Sequence, residues 1–225
     1  FGPTNKIGTV NANSTKGTFS ISFSVDTQAA TTTVTALRAN ILDASVGGTA
    51  TGTFTVKGKI TSLVPVTGTI GTSITLGGNG WAKNELIGID FGMTSNRATA
   101  TASGYGTFSF SFTVDNQLAG YTTITARGQL SGATWTLSGA ETFQIKGNVS
   151  ITPTTGTVGS MVTVNGNGFK SMDNVEINFG NTVTMATATS NSAGTWTVLF
   201  TVDTQCYGTT TIRAYGQGSG WAEDG

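Results

Sequence analysis

Hydrophobic and polar residues alternate along several short segments of the chain. In the clearest segment, residues 106–117, the aromatic residues Phe108, Phe110 and Phe112 are separated by serines. Successive side chains of a β-strand point to opposite faces, so this alternation predicts a strand with one buried face. Clusters of Gly, Asn and Ser separate such runs about every 8–12 residues, a spacing typical of β-sandwiches. The pattern predicts an all-β fold. Its expected core comprises Ile74, Leu76, Ile87, Ile89, Phe108, Phe110, Phe112 and Ile124.

One sequence pattern occurs three times along the chain. Residues 17–28, 106–117 and 194–205 each begin with Gly-Thr and an aromatic residue, and each ends with Phe-x-Val-Asp-x-Gln. In the first copy, the alternating residues 19–25 are predicted to form the same long strand. The copies lie about 89 residues apart, which is longer than the roughly 20–50 residues of a solenoid unit. We therefore predict tandem domains, about two and a half copies of one unit.

Two stretches share a longer motif that points to a known family. Residues 65–81 and 153–169 both open with Pro-x-x-Gly-x-x-Gly, continue through an alternating strand, and end in a Gly-Asn-Gly-aromatic corner. A strand ending in Phe-Gly follows each of them, at Phe91-Gly92 and Phe179-Gly180. This arrangement resembles tandem bacterial immunoglobulin-like domains of the IPT/TIG type, as in prokaryotic surface-layer and cell-surface proteins. The resemblance implies immunoglobulin-like β-sandwiches arranged as a rod.

The repeat pattern also predicts the domain boundaries. Residues 1–58, the first repeat, are expected to be a partial domain that lacks its opening strands. Residues 59–147, the second repeat, are expected to be complete, and residues 148–225, the third repeat, to lack the last strand that contains Phe143 in the second. We expect the chain to be a fragment of a longer protein, stiff at its short junctions. Its open strand edges predict association with other copies.

Composition excludes several classes of function. The chain has no histidine and one cysteine, so it cannot contain a Ser-His-Asp or Cys-His catalytic site or a cysteine zinc cluster. Its formal net charge is zero and only 10% of its residues are charged, which argues against a nucleic-acid partner. No apolar run approaches the 18 or so residues of a membrane span. We predict a protein that is not an enzyme and holds no cofactor.

Three aspartates occupy the same position at the end of the repeated strand. They are Asp26, Asp115 and Asp203, and each is followed two residues later by Gln. Aspartate ends strands and stabilises turns by accepting hydrogen bonds from nearby backbone groups, which is the structural interpretation. A calcium ligand is the alternative, although no Asp-x-Asp sequence supplies the several oxygens that the ion requires.

A second set of carboxylates follows the aromatic corner. Glu85 and Asp173 are in matching places, whereas Asp90 is replaced by Asn178. A glycoside hydrolase requires a pair of carboxylates, and the replacement removes one partner from the third repeat. We therefore predict no catalytic role for these residues.

Four further residues are candidates for contacts or modification. Asn13 and Asn148 begin N-glycosylation sequences of the form Asn-x-Ser/Thr. Trp135 and Trp221 follow Ser-Gly turns and are predicted to lie in loops. They are candidate exposed contact residues that pack against a neighbouring domain or stack on a sugar ring.

These features favour an extracellular structural role. The first hypothesis is a fragment of a surface-layer or cell-wall scaffold, whose partners are other copies or lattice neighbours. The alternatives are an adhesin or carbohydrate-binding stalk that recognises cell-surface glycans, and an immunoglobulin-like spacer of a secreted multidomain enzyme.

Overall fold

The chain folds into β-strands, as the alternating pattern predicts. The computed structural model describes residues 7–25, 31–37, 49–130 and 134–223. Within these ranges the regular secondary structure consists of β-strands and includes no helix, so the all-β prediction is confirmed. The described residues include no helix that is long and apolar enough to cross a membrane.

In the first repeat, a hairpin is formed by β1 (Thr31–Leu37) and β2 (Thr49–Thr55). The two strands are antiparallel. The predicted strand at residues 19–25 is wrong, because those residues have no regular secondary structure. In the other repeats the matching strand is paired with a strand that lies earlier in the chain, and the described residues before Phe19 contain no such strand.

The second repeat is a two-sheet sandwich. Its strands are β3 (Lys59–Val64), β4 (Thr67–Gly68), β5 (Ser73–Asn79), β6 (Leu86–Phe91), β7 (Thr94–Thr101), β8 (Phe108–Thr113), β9 (Gly120–Leu130) and β10 (Thr134–Ile145). One sheet has the strand order β3-β5-β8 and the other the order β4-β10-β9-β6-β7. The two sheets bring strands that are distant in sequence into one core.

The core of the second repeat is the face that the alternation predicts. Ile74, Leu76, Ile87, Ile89, Phe108, Phe112 and Ile124 are buried, with exposed fractions of 7% or less. Phe110 differs from this prediction, because it is only partly buried against the core.

The third repeat has the same architecture. Its strands are β11 (Asn148–Thr152), β12 (Met161–Asn167), β13 (Asn174–Phe179), β14 (Thr182–Thr189), β15 (Trp196–Thr201), β16 (Ile212–Gly216) and β17 (Gly220–Glu223). The sheets have the orders β11-β12-β15 and β14-β13-β16-β17. The burial pattern along β15 is identical to that along β8, as expected for copies of one unit.

The third repeat ends in a short strand, β17, that pairs with β16. By register Glu223 matches Ala140, so β17 corresponds to the part of β10 that precedes Phe143, and the predicted lack of the segment equivalent to Phe143 stays a prediction. The turn that precedes it is tight, because the Ser219 backbone N–H donates to the Gly216 carbonyl across 3.2 Å. The chain therefore reverses at once and closes the sheet beside β16.

Candidate functional site

The repeated aspartate and glutamine hold the two sheets of the second repeat together. The Asp115 carboxylate accepts hydrogen bonds from the Thr94 hydroxyl at 2.6 Å and from the Gln117 amide at 2.8 Å. Gln117 is buried and also donates to the Phe91 carbonyl across 2.8 Å. Thr94 and Phe91 belong to the sheet opposite β8. The Asp-x-Gln motif is thus a brace between the sheets.

The Phe-Gly motif follows from the same brace. Gly92 has a φ of 54°, and a Cβ built on it would lie 2.0 Å from the Gln117 side-chain oxygen. A side chain at this position would displace the buried amide. In the third repeat a Cβ on Gly180 would lie 2.8 Å from the Gln205 side-chain oxygen. Phe-Gly and Asp-x-Gln therefore recur together because the glycine, which has no side chain, leaves space for the side chain of the glutamine.

The brace of the third repeat contains a carboxylate with a shifted pKa. Asp203 accepts hydrogen bonds from the Gln205 amide, at 2.7 Å, and from the Thr182 hydroxyl. These two donors, the Gln205 amide first, stabilise the charged form and lower the pKa of Asp203 below its ordinary value. Asp203 is therefore ionised at neutral pH.

The calcium alternative gains no support from this geometry. The oxygens of Asp115 and Asp203 are directed at hydrogen-bond donors, which a metal ion would have to displace. Among the residues that the structure describes, no three His, Cys, Asp or Glu side chains come together as a metal site would require. Asp26 lies outside the described residues. Calcium binding at these aspartates stays an untested prediction.

The carboxylates that follow the aromatic corners support turns. Glu85 is buried and accepts a hydrogen bond from the Ala82 backbone N–H at 2.7 Å. Asp173 is also buried, and it accepts hydrogen bonds from the Gly218 backbone N–H, at 2.8 Å, and from the Ser219 hydroxyl. The third-repeat carboxylate thus stabilises the tight turn that leads into β17.

The exchange of Asp90 for Asn178 has a simple structural explanation. Asp90 accepts a hydrogen bond from the Asn96 backbone N–H, and Asn178 accepts one from the Thr184 backbone N–H, both at 2.8 Å. Asn96 and Thr184 both have positive φ angles, of 49° and 55°. Either side chain supplies the oxygen that holds this turn, so the charge is dispensable. Asp90 additionally forms an ion pair with Arg127.

The junctions between repeats are packed against the aromatic corners. A Cβ on Gly58 would lie 2.8 Å from the Trp81 ring, and a Cβ on Gly147 would lie 3.0 Å from the Phe169 ring. Both aromatic side chains are buried. The Lys-Gly junctions therefore bring the backbone directly onto the corner of the following repeat.

The second and third repeats also touch beyond the junction itself. The Ala119 backbone N–H donates to the Phe169 carbonyl across 3.5 Å. A Cβ on Gly194 would lie 2.8 Å from a methyl carbon of Leu118, and one on Gly168 would lie 3.5 Å from Ile70. Loops of the second repeat thus rest on the corner of the third.

The two candidate tryptophans lie in strands and not in the predicted loops. Trp135 is on β10, and its side chain lies outside the described part of the chain. Trp221 is on β17, is 55% exposed, and packs against Tyr215 with ring centroids 4.9 Å apart. The tight turn before β17 explains the difference for Trp221, because the strand resumes directly after Ser219.

The two glycosylation candidates differ in their surroundings. Asn13 is in an exposed turn, where its side-chain oxygen accepts hydrogen bonds from the backbone N–H groups of Thr15 and Lys16. Asn148 is half-buried and begins β11, paired with Asn167 of β12. Of the two, Asn13 has the more accessible side chain. Glycosylation of either residue stays a prediction.

A surface cleft of about 450 Å³ lies between β3 and β10 of the second repeat. Its lining consists of Thr61, Ser62, Leu63, Val66, Thr67, Tyr121, Glu141, Thr142 and Gln144. Tyr121 is 79% exposed and is paired with Gln144 across β9 and β10. Sequence reasoning missed this cleft, because its residues are scattered over four strands and their loops and form no motif. The sequence does contain one indication of the cleft, which is that some of its lining residues differ in type from the residues at the matching positions of the first repeat.

The architecture and one family model indicate which kind of domain the third repeat resembles. The second and third repeats are immunoglobulin-like β-sandwiches in tandem. Residues 149–224 match the family model of the IPT/TIG domain. The third repeat is thus similar to IPT/TIG domains, and the predicted resemblance is confirmed. No curated protein is similar to the chain at a significant level.

Several solved structures are similar to parts of the chain. They include SGBP-B from a xyloglucan utilization locus of Bacteroides uniformis, with 21% identity, 74% of this chain and 48% of that chain covered, and a TM-score of 0.27. The BSP domain of a biofilm-associated protein has 18% identity, coverages of 72% and 28%, and a TM-score of 0.26. Invasin, a bacterial integrin-binding protein, has 15% identity, coverages of 76% and 39%, and a TM-score of 0.34. The chain spans less than half the length of each of these three proteins.

Proposed function

We propose that the chain is a non-catalytic structural part of an extracellular protein, a fragment of a surface-layer or cell-wall scaffold. In this role the repeats themselves set the spacing between neighbouring parts of the assembly. The observation that carries the proposal is the direct contact between the second and third repeats, in which Leu118 and Ala119 meet the corner around Phe169.

The junction is built to limit bending. β10 ends at Ile145 and β11 begins at Asn148, so only Lys146 and Gly147 join the two sandwiches. Short connections restrict the relative motion of domains. Because Gly147 has no side chain, the backbone approaches Phe169 closely. Packing at this contact therefore restricts the motion of the two domains in addition to the short length of the connection. A stiff spacer follows from these contacts.

The chemistry of the described residues favours the same role. The recurring carboxylates brace sheets and turns, as Asp115, Asp173 and Asp203 do. A formal net charge of zero lowers the repulsion between like molecules and favours close association. Both features suit a component whose function is to pack beside its neighbours.

The rigidity of the junction can be tested by pulsed electron paramagnetic resonance, which measures the distribution of distances between two spin labels. Cys206 is exposed in the third repeat, and a Tyr105→Cys substitution supplies an exposed site in the second. We expect a narrow distance distribution, which broadens when a Gly-Ser linker is inserted after Lys146. A distribution that is equally broad before and after the insertion would contradict a stiff spacer.

The lattice role has a separate test. The full chain is concentrated on a flat support and imaged by negative-stain electron microscopy. Ordered two-dimensional arrays are expected of a surface-layer fragment. Isolated particles at every concentration would contradict the lattice role and leave a spacer without lattice contacts.

A further inference from the structure

The cleft between β3 and β10 carries residues that are specific to the second repeat. The first repeat offers a direct comparison, because its β1–β2 hairpin has the same register as β9–β10: the pairs Val34–Gly52 and Thr32–Phe54 correspond to Ile124–Glu141 and Thr122–Phe143. In that register the second repeat has Tyr121, Gln144 and Glu141 where the first repeat has Thr31, Thr55 and Gly52. The Asp-x-Gln brace, which maintains the fold, recurs between copies, whereas these three positions differ. The second repeat thus places three larger side chains in one cleft.

We propose that this cleft binds a short oligosaccharide, made of neutral or amino sugars. The Tyr121 ring is 79% exposed and offers an apolar face with a polar hydroxyl at its end, the combination that suits the amphipathic face of a sugar ring. Gln144 lies directly across from it on β10 and provides both a donor and an acceptor for sugar hydroxyls. Glu141 adds a carboxylate that accepts such hydrogen bonds strongly.

Hydroxyl groups complete the lining. Thr61, Ser62, Thr67 and Thr142 surround the cleft. The Thr67 hydroxyl oxygen is buried and has no hydrogen-bond partner among the described residues, although buried polar groups in proteins are almost always paired. A volume of about 450 Å³ falls within the range of roughly 300–1,000 Å³ that small-molecule sites span.

Charge narrows the class of ligand. Glu141 is the charged side chain of the lining, and the residues that line the cleft include no Lys or Arg. An acidic polysaccharide would meet this carboxylate without a compensating cation, so it is disfavoured. Neutral hydroxyls and protonated amino groups both match a carboxylate. This leaves neutral and amino sugars as the expected ligands.

Binding at this cleft goes beyond the scaffold proposal and is tested independently of it. The full chain is titrated by isothermal calorimetry with four probes: cellotetraose, mannotetraose, the glucosamine tetramer and tetragalacturonate. We expect at least one of the first three to bind and tetragalacturonate not to bind. The same titration is repeated with Tyr121→Thr, which introduces the type of residue that the first repeat carries in this position. That variant is expected to weaken binding at least about tenfold.

Matched variants separate the cleft from the rest of the surface. Tyr121→Phe keeps the ring and is expected to bind within about threefold of the unchanged chain, while Glu141→Gln weakens binding of the glucosamine tetramer most. Tyr105→Thr removes a tyrosine of similar exposure, 74%, outside the cleft, and should have no effect. The proposal is overturned if none of the four probes binds at millimolar concentration, or if tetragalacturonate binds as well as the others. It is also overturned if Tyr121→Thr and Tyr105→Thr have equal effects. Failure here would leave the spin-label and microscopy tests of the scaffold role unaffected.

Discussion

Matching side chains perform the same task in the second and third repeats, even where their types differ. Asp90 and Asn178 hold one turn through a side-chain oxygen, and Asp115 and Asp203 hold the brace between the sheets. In the first pair the charge is dispensable, because a neutral amide accepts the same hydrogen bond. In the brace of the third repeat, the hydrogen bonds to Asp203 favour its charged form. The contribution of Asp203 to stability therefore depends on pH.

We predict that the third repeat loses stability in acid through Asp203. Its pKa is lowered in the folded state by the Gln205 amide and then by the Thr182 hydroxyl, so the unfolded state binds the proton more tightly. The stabilisation is fully present above the unfolded-state pKa of aspartate, about 3.9, and is lost as the pH falls through the lower folded-state pKa. Thermal unfolding of the full chain and of Asp203→Asn is compared from pH 7 to pH 2. The stability difference between the two proteins should shrink with falling pH, and a constant difference would contradict the prediction.

At the level of strands, β8 and β15 turn the same face toward the core of their repeats. Phe112 is buried and packs edge-on against Phe91 of the opposite sheet, with centroids 5.6 Å apart. Phe110 stacks beside Phe112 on the same face but is only partly buried. Ser109, between these aromatics, is exposed. The register of β8 thus places aromatic rings inside and hydroxyls outside.

We predict that Phe112→Ala lowers the free energy of unfolding of the second repeat by about 3–5 kcal/mol, since it removes a buried ring from between the sheets. Phe110→Ala should cost less, because that ring is partly exposed. Ser109→Ala is the control and should change the free energy by no more than about 0.5 kcal/mol. Hydrogen exchange of the β5 amides in the full chain reports on this repeat. Equal losses from Phe112→Ala and Ser109→Ala would mean that β8 has the opposite face turned inward.

The strands that could be predicted from sequence are those whose alternation is matched by a partner. Phe108 and Phe112 are buried as predicted because β5 supplies a paired strand. The alternation at Phe19 is just as regular, yet no strand forms there, because pairing and not periodicity creates a strand. The position of Trp221 in a strand could not be predicted, because the preceding turn decides where that strand begins. Local hydrogen bonds set the length of the turn.

The brace and the cleft show the same limit for functional residues. The recurrence of Asp115 and Gln117 indicates that they are structural. It does not indicate that Gln117 is buried and donates a hydrogen bond to the Phe91 carbonyl. Tyr121 and Glu141 form no sequence motif, because they are brought together by the pairing of β9 with β10. Motif reasoning detects chemistry that is local in sequence, and this cleft is assembled by tertiary structure. Comparing the repeats position by position, in the register of their strands, is what identifies it.

At the scale of the whole molecule, the repeats differ in how well their apolar faces are covered. Phe54 of β2 corresponds by register to Phe143 of β10. Phe143 is completely buried, whereas Phe54 is 45% exposed. Phe19 of the first repeat is also exposed, by 54%. In the first repeat, the hairpin face that would contribute to a core is therefore turned to solvent.

We predict that the full chain associates in a concentration-dependent manner through its first repeat. Exposed apolar side chains beside unpaired strand edges are a surface on which another chain readily pairs. The β1–β2 hairpin carries such side chains and, among the described residues, pairs with no third strand. Sedimentation velocity over a wide concentration range should show association of residues 1–225, and a chain of residues 59–225 should remain monomeric. Phe54→Ser should weaken the association, whereas Met93→Ser, which removes an exposed apolar side chain from the second repeat, should leave it unchanged. A full chain that stays monomeric, with residues 1–58 resistant to proteolysis, would show instead that the first repeat covers this face by itself.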